Sequence, residues 1–197
     1  NTNSTSLQSV TLDQGTVASQ TVGPLPLVVL NDLTIEDYVL FDHNGYDVTV
    51  GGDFIIETNG DYEWDNGKQN TTTLNGSGNS ILAFYNRTAA STSDEQRFWR
   101  MVVNKSANDT VTLLSGKTGG ALNNNNNNLL RIDGTAFILQ SGVFDNNNHS
   151  IRFYTDSLVN YGTLGVFVPG TTNDQDPNGE NDLLKLRPDP FVLITAD

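Results

Sequence analysis

The sequence predicts an all-β fold, and within it a parallel β-helix whose rungs are roughly 21 residues long. The first observation is self-similarity. Phe41-Asp42-His43-Asn44-Gly45-Tyr46-Asp47-Val48-Thr49-Val50 returns as Phe144-Asp145-Asn146-Asn147-Asn148-His149-Ser150-Ile151-Arg152-Phe153. Gly52-Asp53-Phe54-Ile55-Ile56-Glu57-Thr58-Asn59-Gly60-Asp61-Tyr62 returns as Gly134-Thr135-Ala136-Phe137-Ile138-Leu139-Gln140-Ser141-Gly142-Val143-Phe144. The offsets, 144 − 41 = 103 and 134 − 52 = 82, differ by 21, and Asn44-Gly45 is echoed by Asn66-Gly67 22 residues on. A unit this short cannot bury its own apolar face and must stack on copies of itself. The second observation is a chain of short β-branched and aromatic runs separated by Asn/Asp/Gly clusters. The third is composition: Asn, Thr, Ser and Gly abound while Lys is scarce, which suits turns and strands and suits helices poorly.

Taken in order, residues 1–32 read as a polar extended segment or a preceding rung, punctuated by Gly23-Pro24 and Pro26. Candidate strands then run at Leu33–Ile35, Val39–Phe41, Asp47–Val50, Asp53–Glu57, Tyr62–Trp64, Thr71–Leu74 and Ile81–Tyr85. They continue at Phe98–Val103, Thr110–Leu114, Leu129–Ile132, Ala136–Gln140, Ile151–Tyr154, Thr163–Val168 and Phe191–Ile194. Residues 33–168 form the repeat region, and 169–197 an acidic loop with a C-terminal strand. Some helical character is confined to Ser93–Arg100.

The Asn-Gly pairs at 44–45, 59–60, 66–67 and 75–76 tolerate positive φ, which tight corners need. Stacked Asn side chains at equivalent corners could form a hydrogen-bond ladder. Two segments break the rhythm: the polar Thr88–Arg97, and Lys117–Asn128 with its six consecutive asparagines. The alternative fold is a β-sandwich, in which each Asn-Gly closes a two-residue hairpin and the two offsets are coincidental.

The net charge of −13 argues against a nucleic-acid or anionic-membrane partner, which needs a basic footprint. With no cysteine, disulfides, thiolate metal sites and thiol nucleophiles are excluded. No apolar run reaches the ~18 residues of a membrane-spanning helix. The chain opens at Asn1 without a leader and reads as a mature or excised segment, so any export signal lies outside it.

The sharpest chemical motif is Asp174-Gln175-Asp176-Pro177-Asn178-Gly179-Glu180-Asn181-Asp182. Calcium takes six to eight oxygens, and a loop that alternates inward acids and turns sharply at a glycine supplies them. Asp174, Asp176 and Asn178 fill positions one, three and five; the Glu180 carbonyl and Asp182 fit seven and nine. Lys185 stands where a bidentate Glu would close a helix–loop–helix sensor, so the motif fits a structural extracellular calcium loop or an acidic turn without an ion.

His43 and His149 fall at different positions of the repeated phrase and read as exposed turn residues. Asp61 with Glu63, and Asp94 with Glu95 near Arg97 and Arg100, are the acid pairs a glycan-cleaving enzyme on this fold would use. Neither has a specific spacing, and a solvated acidic face is the plainer reading. Trp64, Tyr85, Trp99 and Tyr154 are candidate sugar-stacking aromatics against a background of core packing.

Asp42-His43-Asn44-Gly45-Tyr46-Asp47-Val48-Thr49-Val50-Gly51-Gly52-Asp53-Phe54, then Thr73-Leu74-Asn75-Gly76-Ser77-Gly78-Asn79, Met101-Val102-Val103-Asn104-Lys105-Ser106 and Thr110-Val111-Thr112-Leu113 follow one another. This order resembles the repeats of giant Bacteroidota cell-surface adhesins, gliding-motility and attachment proteins exported by the type IX secretion system. The resemblance covers about Leu33 to Val168. It implies a right-handed parallel β-helix, secretion to the cell surface and no catalytic activity. The implied partners are neighbouring repeats, the secretion machinery and an external surface or glycan. It also implies O-glycan sites at Thr110 and Ser157, each after an Asp and before an apolar residue. The alternatives are a calcium-dependent glycan-binding β module and a polysaccharide lyase or hydrolase on a β-helix.

Overall fold

The computed structural model describes residues 5–12, 19–21, 25–57, 60–63, 68–85, 96–115, 130–145, 147, 151–153, 157–160, 163–164, 184–186 and 192–195. Among these residues the protein is all-β, and every strand pairing is parallel. The strands are β1 (Thr5–Leu7), β2 (Val10–Leu12), β3 (Ser19–Thr21), β4 (Leu27–Val29), β5 (Leu33–Ile35), β6 (Leu40–Asp42) and β7 (Val48–Val50). Next come β8 (Phe54–Ile56), β9 (Asp61–Glu63), β10 (Thr71–Gly76), β11 (Ser80–Phe84), β12 (Gln96–Lys105), β13 (Thr110–Ser115) and β14 (Leu130–Ser141). The last are β15 (Val143–Asp145), β16 (Ile151–Phe153), β17 (Ser157–Asn160), β18 (Thr163–Leu164), β19 (Leu184–Leu186) and β20 (Val192–Thr195).

From β1 to β8 consecutive strands step from sheet to sheet and each pairs with the strand three places on. β10 to β13 pair with the strand two places on, and the three-place step returns at β15, β16 and β17. β1, β4, β7 and β10 run side by side in the ten-stranded sheet, β2, β5, β8 and β11 in the seven-stranded sheet, and β3, β6 and β9 in the three-stranded sheet. Parallel neighbours cannot be joined by a tight hairpin, so the hairpin-linked sandwich is not what these strands build. The register carries the expected period. Leu27 faces Val48, Leu33 faces Phe54 and Leu40 faces Asp61, each a step of 21 (48 − 27, 54 − 33, 61 − 40). The step returns at Leu130 to Ile151 and Ala136 to Ser157 (151 − 130 and 157 − 136 are both 21). Between these stretches it lengthens, to 111 − 80 = 31 and 136 − 100 = 36, because the chain carries the two insertions marked in the sequence.

The repeated phrases are displaced by one face. Phe54–Ile56 lies in the seven-stranded sheet, but its echo at 136–138 lies in the ten-stranded one. Phe41 lies in the three-stranded sheet, but Phe144 lies in the seven-stranded one. What recurs is a corner: Asp42 Oδ1 accepts Asn44 N–H at 2.6 Å, and Asp145 Oδ1 accepts Asn147 N–H at 2.8 Å. Asn44 and Asn147 both have positive φ, 51° and 50°. Asn tolerates this conformation better than other side-chain-bearing residues.

β12 and β14 are longer than predicted. Gln96–Phe98 lies beside β9, where Gln96 Oε1 accepts Tyr62 N–H at 3.4 Å and the Phe98 ring stacks on Tyr62 at 5.0 Å. Arg100–Lys105 instead pairs with β10. One strand therefore spans two faces. The expected helical character of Ser93–Arg100 is overruled from Gln96 onward. Gln96 and Phe98 are buried and Arg97 is half-exposed, a period-two pattern that packs only as a strand. Leu129–Ile132 and Ala136–Gln140 likewise fuse into β14. β1 to β4 lie within 1–32 and pair in the same order as the strands after them.

The core is one continuous apolar column from Val29 to Phe144. At its centre Tyr62 touches Phe41 and Phe54, both at 5.6 Å between ring centroids, and Phe98 touches Phe54 and Phe84, both at 6.2 Å. Each buried aromatic or aliphatic side chain contributes about 1.5–3 kcal/mol of transfer free energy.

Candidate functional site

The polar side chains gather at two corners. The first follows the opening strand of each triplet. Asp32 Oδ1 accepts Asp53 N–H at 2.8 Å, Asp53 Oδ1 accepts Ile81 N–H at 3.0 Å, and Asn79 Oδ1 accepts Thr110 N–H at 2.9 Å. Asp109 Oδ2 accepts Gly78 N–H at 2.7 Å. Each acceptor serves an amide 21 to 31 residues away in sequence, so the bonds tie together segments that the chain visits in succession. The anticipated ladder of Asn side chains from the Asn-Gly corners is not what these bonds form: three Asp carboxylates and Asn79 serve backbone amides instead. A carboxylate accepting an N–H makes a stronger bond than a neutral amide does.

Lys105 completes this corner. It is 2% exposed, and its Nζ donates to Gly51 O at 2.8 Å, reaching across the layer that carries Gly76. A Cβ at Gly76 (φ +87°) would crowd the same Gly51 oxygen, so this glycine leaves the lane open. Burial lowers the pKa of the ammonium, while the charges of Asp109, Asp53 and Asp32 oppose that shift.

The second corner holds a buried polar cluster. Asn70 Nδ2 donates to Tyr62 Oη at 2.8 Å, and Tyr62 Oη lies 2.8 Å from Thr72 Oγ1. Burial drives the Tyr62 phenol well above its ordinary pKa despite the bonds from Thr72 and Asn70, so it stays protonated. His43 belongs here too, and the expectation of an exposed turn residue is wrong. It is fully buried, its ring sits 5.3 Å from Tyr62, and its Nδ1 accepts Gly45 N–H at 3.0 Å. The missed signal was alternation: Phe41 and His43 stand two apart, so both face inward.

The five calcium-loop residues, Asp174, Asp176, Asn178, Glu180 and Asp182, lie outside the described residues, as do His149, Asp94, Glu95, Trp64 and Tyr154. Asp61 is exposed on β9 beside buried Tyr62. Arg97, Arg100, Trp99 and Tyr85 are half-exposed, and the charges of Glu57 and Asp53 act on the Tyr85 phenol. Among the described residues, no group of three or more His, Asp or Glu converges to hold a metal. Thr110 is half-exposed at the mouth of the Asp-lined corner, and Ser157 opens β17.

A feature the sequence reading passed over is a cationic column. Arg97 faces Arg131, Arg131 faces Arg152, and Arg152 faces Lys185. Beside it, Trp99 lies where β12 and β14 change register, and a Cβ at Gly134 would run into its carbonyl oxygen and indole ring. No protein-family model, curated protein or solved structure matches the chain.

Proposed function

We propose that the chain is a stretch of right-handed parallel β-helix, a non-catalytic structural and adhesive segment of a large secreted cell-surface adhesin. One observation carries this reading. The strands stack in register at steps of 21 residues, and Asp32 and Asp53 bond across the layers. Such a ladder resists shear between layers, the load an extended surface filament carries. The acidic exterior keeps neighbouring filaments apart.

The reading predicts that antibody to this segment detects a surface-exposed polypeptide of hundreds of kilodaltons on intact cells. A free species near 21.4 kDa overturns it. A calcium ion held by Asp174, Asp176, Asn178, the Glu180 carbonyl and Asp182 would stiffen the last layers. Calcium then raises the melting temperature by several degrees, and Asp176→Ala abolishes the gain. No shift in wild type with calcium removes the ion from the proposal.

A further inference from the structure

Among the described residues four that are not glycine have positive φ, and three of them, Asn44, Asn108 and Asn147, are asparagines. The fourth is Tyr38, at φ 60°. Asn enters this region at small cost because its short polar side chain bonds locally, whereas a bulky ring gains nothing there. Tyr38 is the third residue of the turn Glu36–Val39, in which Val39 N–H donates to Glu36 O at 3.2 Å. Asn108 takes the same third place in the turn Ser106–Asp109, where Asp109 N–H donates to Ser106 O at 3.0 Å. The bond of the first turn returns at a step of 21 (57 − 36, 60 − 39), as Gly60 N–H on Glu57 O at 2.9 Å. In the sequence the counterpart of Tyr38 at that step is Asn59. The chain had asparagine in plenty for this corner and carries a tyrosine there instead.

Packing does not explain the choice. Tyr38 is 61% exposed, against 47% for Leu30 and 39% for Leu7. The backbone on either side of it is held firmly. Ile35 and Val39 are buried, Ile35 O accepts Glu57 N–H at 2.8 Å, and Val39 O accepts Asp61 N–H at 2.9 Å. A Cβ at Gly60 would stand 2.9 Å from Glu36 O and 3.0 Å from Ile35 O, so Gly60 lies close against this turn. Surroundings this fixed can keep a residue in a costly conformation, and such residues cluster where ligands are met. The turn presents a ring on a fixed backbone, and a tyrosine has only two side-chain torsions to order on contact.

We propose that Tyr38 is the platform for one sugar ring of an uncharged glycan, with the Asp37 carboxylate beside it accepting from sugar hydroxyls. The inference rests on the adhesin reading and names its ligand class. A pyranose has an apolar face of C–H groups and a polar edge, which a tyrosine ring next to an exposed acid matches. Asp37 is exposed and Glu36 half-exposed, so acids border the ring. Together with the −13 of the whole chain they repel an acidic polysaccharide, a nucleic acid or an anionic membrane. A protein partner needs a contiguous apolar patch, but Leu7 and Leu30 end or follow β1 and β4, whereas Tyr38 lies between β5 and β6. A quaternary ammonium is held by a cage of rings, and among the described residues Tyr38 is the one exposed aromatic.

The test titrates the full chain with cellohexaose and dextran, and with polygalacturonate and tetramethylammonium for the competing chemistries, and follows the tyrosine ring resonances by NMR. Cellohexaose or dextran shifts the Tyr38 ring with a dissociation constant of roughly millimolar order, as suits one stacked ring. Tyr38→Phe keeps the affinity within about threefold, because the ring face remains. Asp37→Ala weakens it about threefold through the lost acceptor. Tyr38→Asn weakens it at least about tenfold and raises the melting temperature by about 2–4 °C, since the costly conformation is relieved.

Failure of both neutral glycans to shift the ring overturns the proposal, as does tighter binding of polygalacturonate or tetramethylammonium. So does undiminished affinity in Tyr38→Asn or in Asp37→Ala. A melting temperature that stays level or falls in Tyr38→Asn overturns it too, by showing that the fold itself uses the ring. A wild-type dimer that Tyr38→Asn dissolves would assign the ring to a second copy. Should either variant misfold, the wild-type titrations decide by themselves. None of these outcomes alters the size of the native polypeptide, so the two readings fail separately.

Discussion

Residues 27–63 and residues 96–160 solve the same packing problem in different ways. In the first region β4 to β9 are three-residue strands, each confined to one sheet, and the register steps by 21 throughout. Its corners use positive φ at Tyr38, Asn44 and Gly45. In the second, β12 and β14 run through a corner without interruption, and a register shift between Phe98 and Arg100 takes up the bend. Opposite Trp99, β14 carries Asp133, Gly134 and Thr135, a bulge that increases local twist and redirects the strand. A corner can thus be made by a local turn residue or by extra residues on one partner strand. Only the first device leaves an Asn-Gly signature.

Breaking the contact between the two regions has the largest effect. Phe98 joins them through Tyr62, Phe54 and Phe84, and Phe98→Ala costs about 3–5 kcal/mol, read as a lower urea midpoint. A loss below about 1 kcal/mol would mean that the regions are held together elsewhere. Next in size is the bulge. Gly134→Ala drives a methyl into Trp99 and costs about 1–3 kcal/mol. Faster amide exchange in β12 and β14, with β5 and β8 unchanged, would place the strain in the upper region. Uniform exchange in both would show that the regions are not separable.

The Asp-lined corner is a smaller lever. Asp53→Ala orphans the Ile81 amide and costs about 1.5–3 kcal/mol, whereas Asp53→Asn, which keeps an acceptor oxygen, costs less than half of that. Equal losses would show that charge, not the acceptor, matters there. The smallest effect belongs to a part-buried ion pair at the surface. Lys68 Nζ lies 2.9 Å from Asp42 Oδ2, and Lys68→Met costs at most about 1 kcal/mol.

Its pH dependence has a definite sign. Burial pushes the Asp42 carboxyl up, but the Lys68 bond, the Asn44 amide and the charges of Lys68 and His43 outweigh it, so its pKa stays below the ordinary 3.8. The stabilisation is therefore complete above 3.8 and is lost as pH falls through the lower folded-state value. The gap between wild type and Lys68→Met should close over that range. A gap that persists in acid would assign the effect to packing of the lysine stem.

Much of this fold is legible in the sequence because period and alternation are local properties. Leu33–Ile35, Thr71–Leu74 and Thr110–Leu114 were found as strands, and the 21-residue step recurs in the register. Short strands such as Leu27–Val29 and Ser157–Asn160 were missed, since three or four residues amid polar neighbours carry too little pattern. His43 was misplaced because a histidine beside Asn-Gly looks like part of the turn. Its burial depends on Tyr62, which stands on β9, the parallel neighbour of β6 21 residues further along the chain (62 − 41).

By itself the sequence determined the all-β class, the repeat length, the insertions and an acidic, cysteine-free surface. Each follows from residue type and spacing along the chain. Tertiary structure alone decided which face each phrase occupies, that Asp32 and Asp53 bond into the next layer, and that Arg97, Arg131, Arg152 and Lys185 stand in one column. Those neighbours lie 21 to 34 residues apart (152 − 131, 131 − 97), and only strand register brings them together.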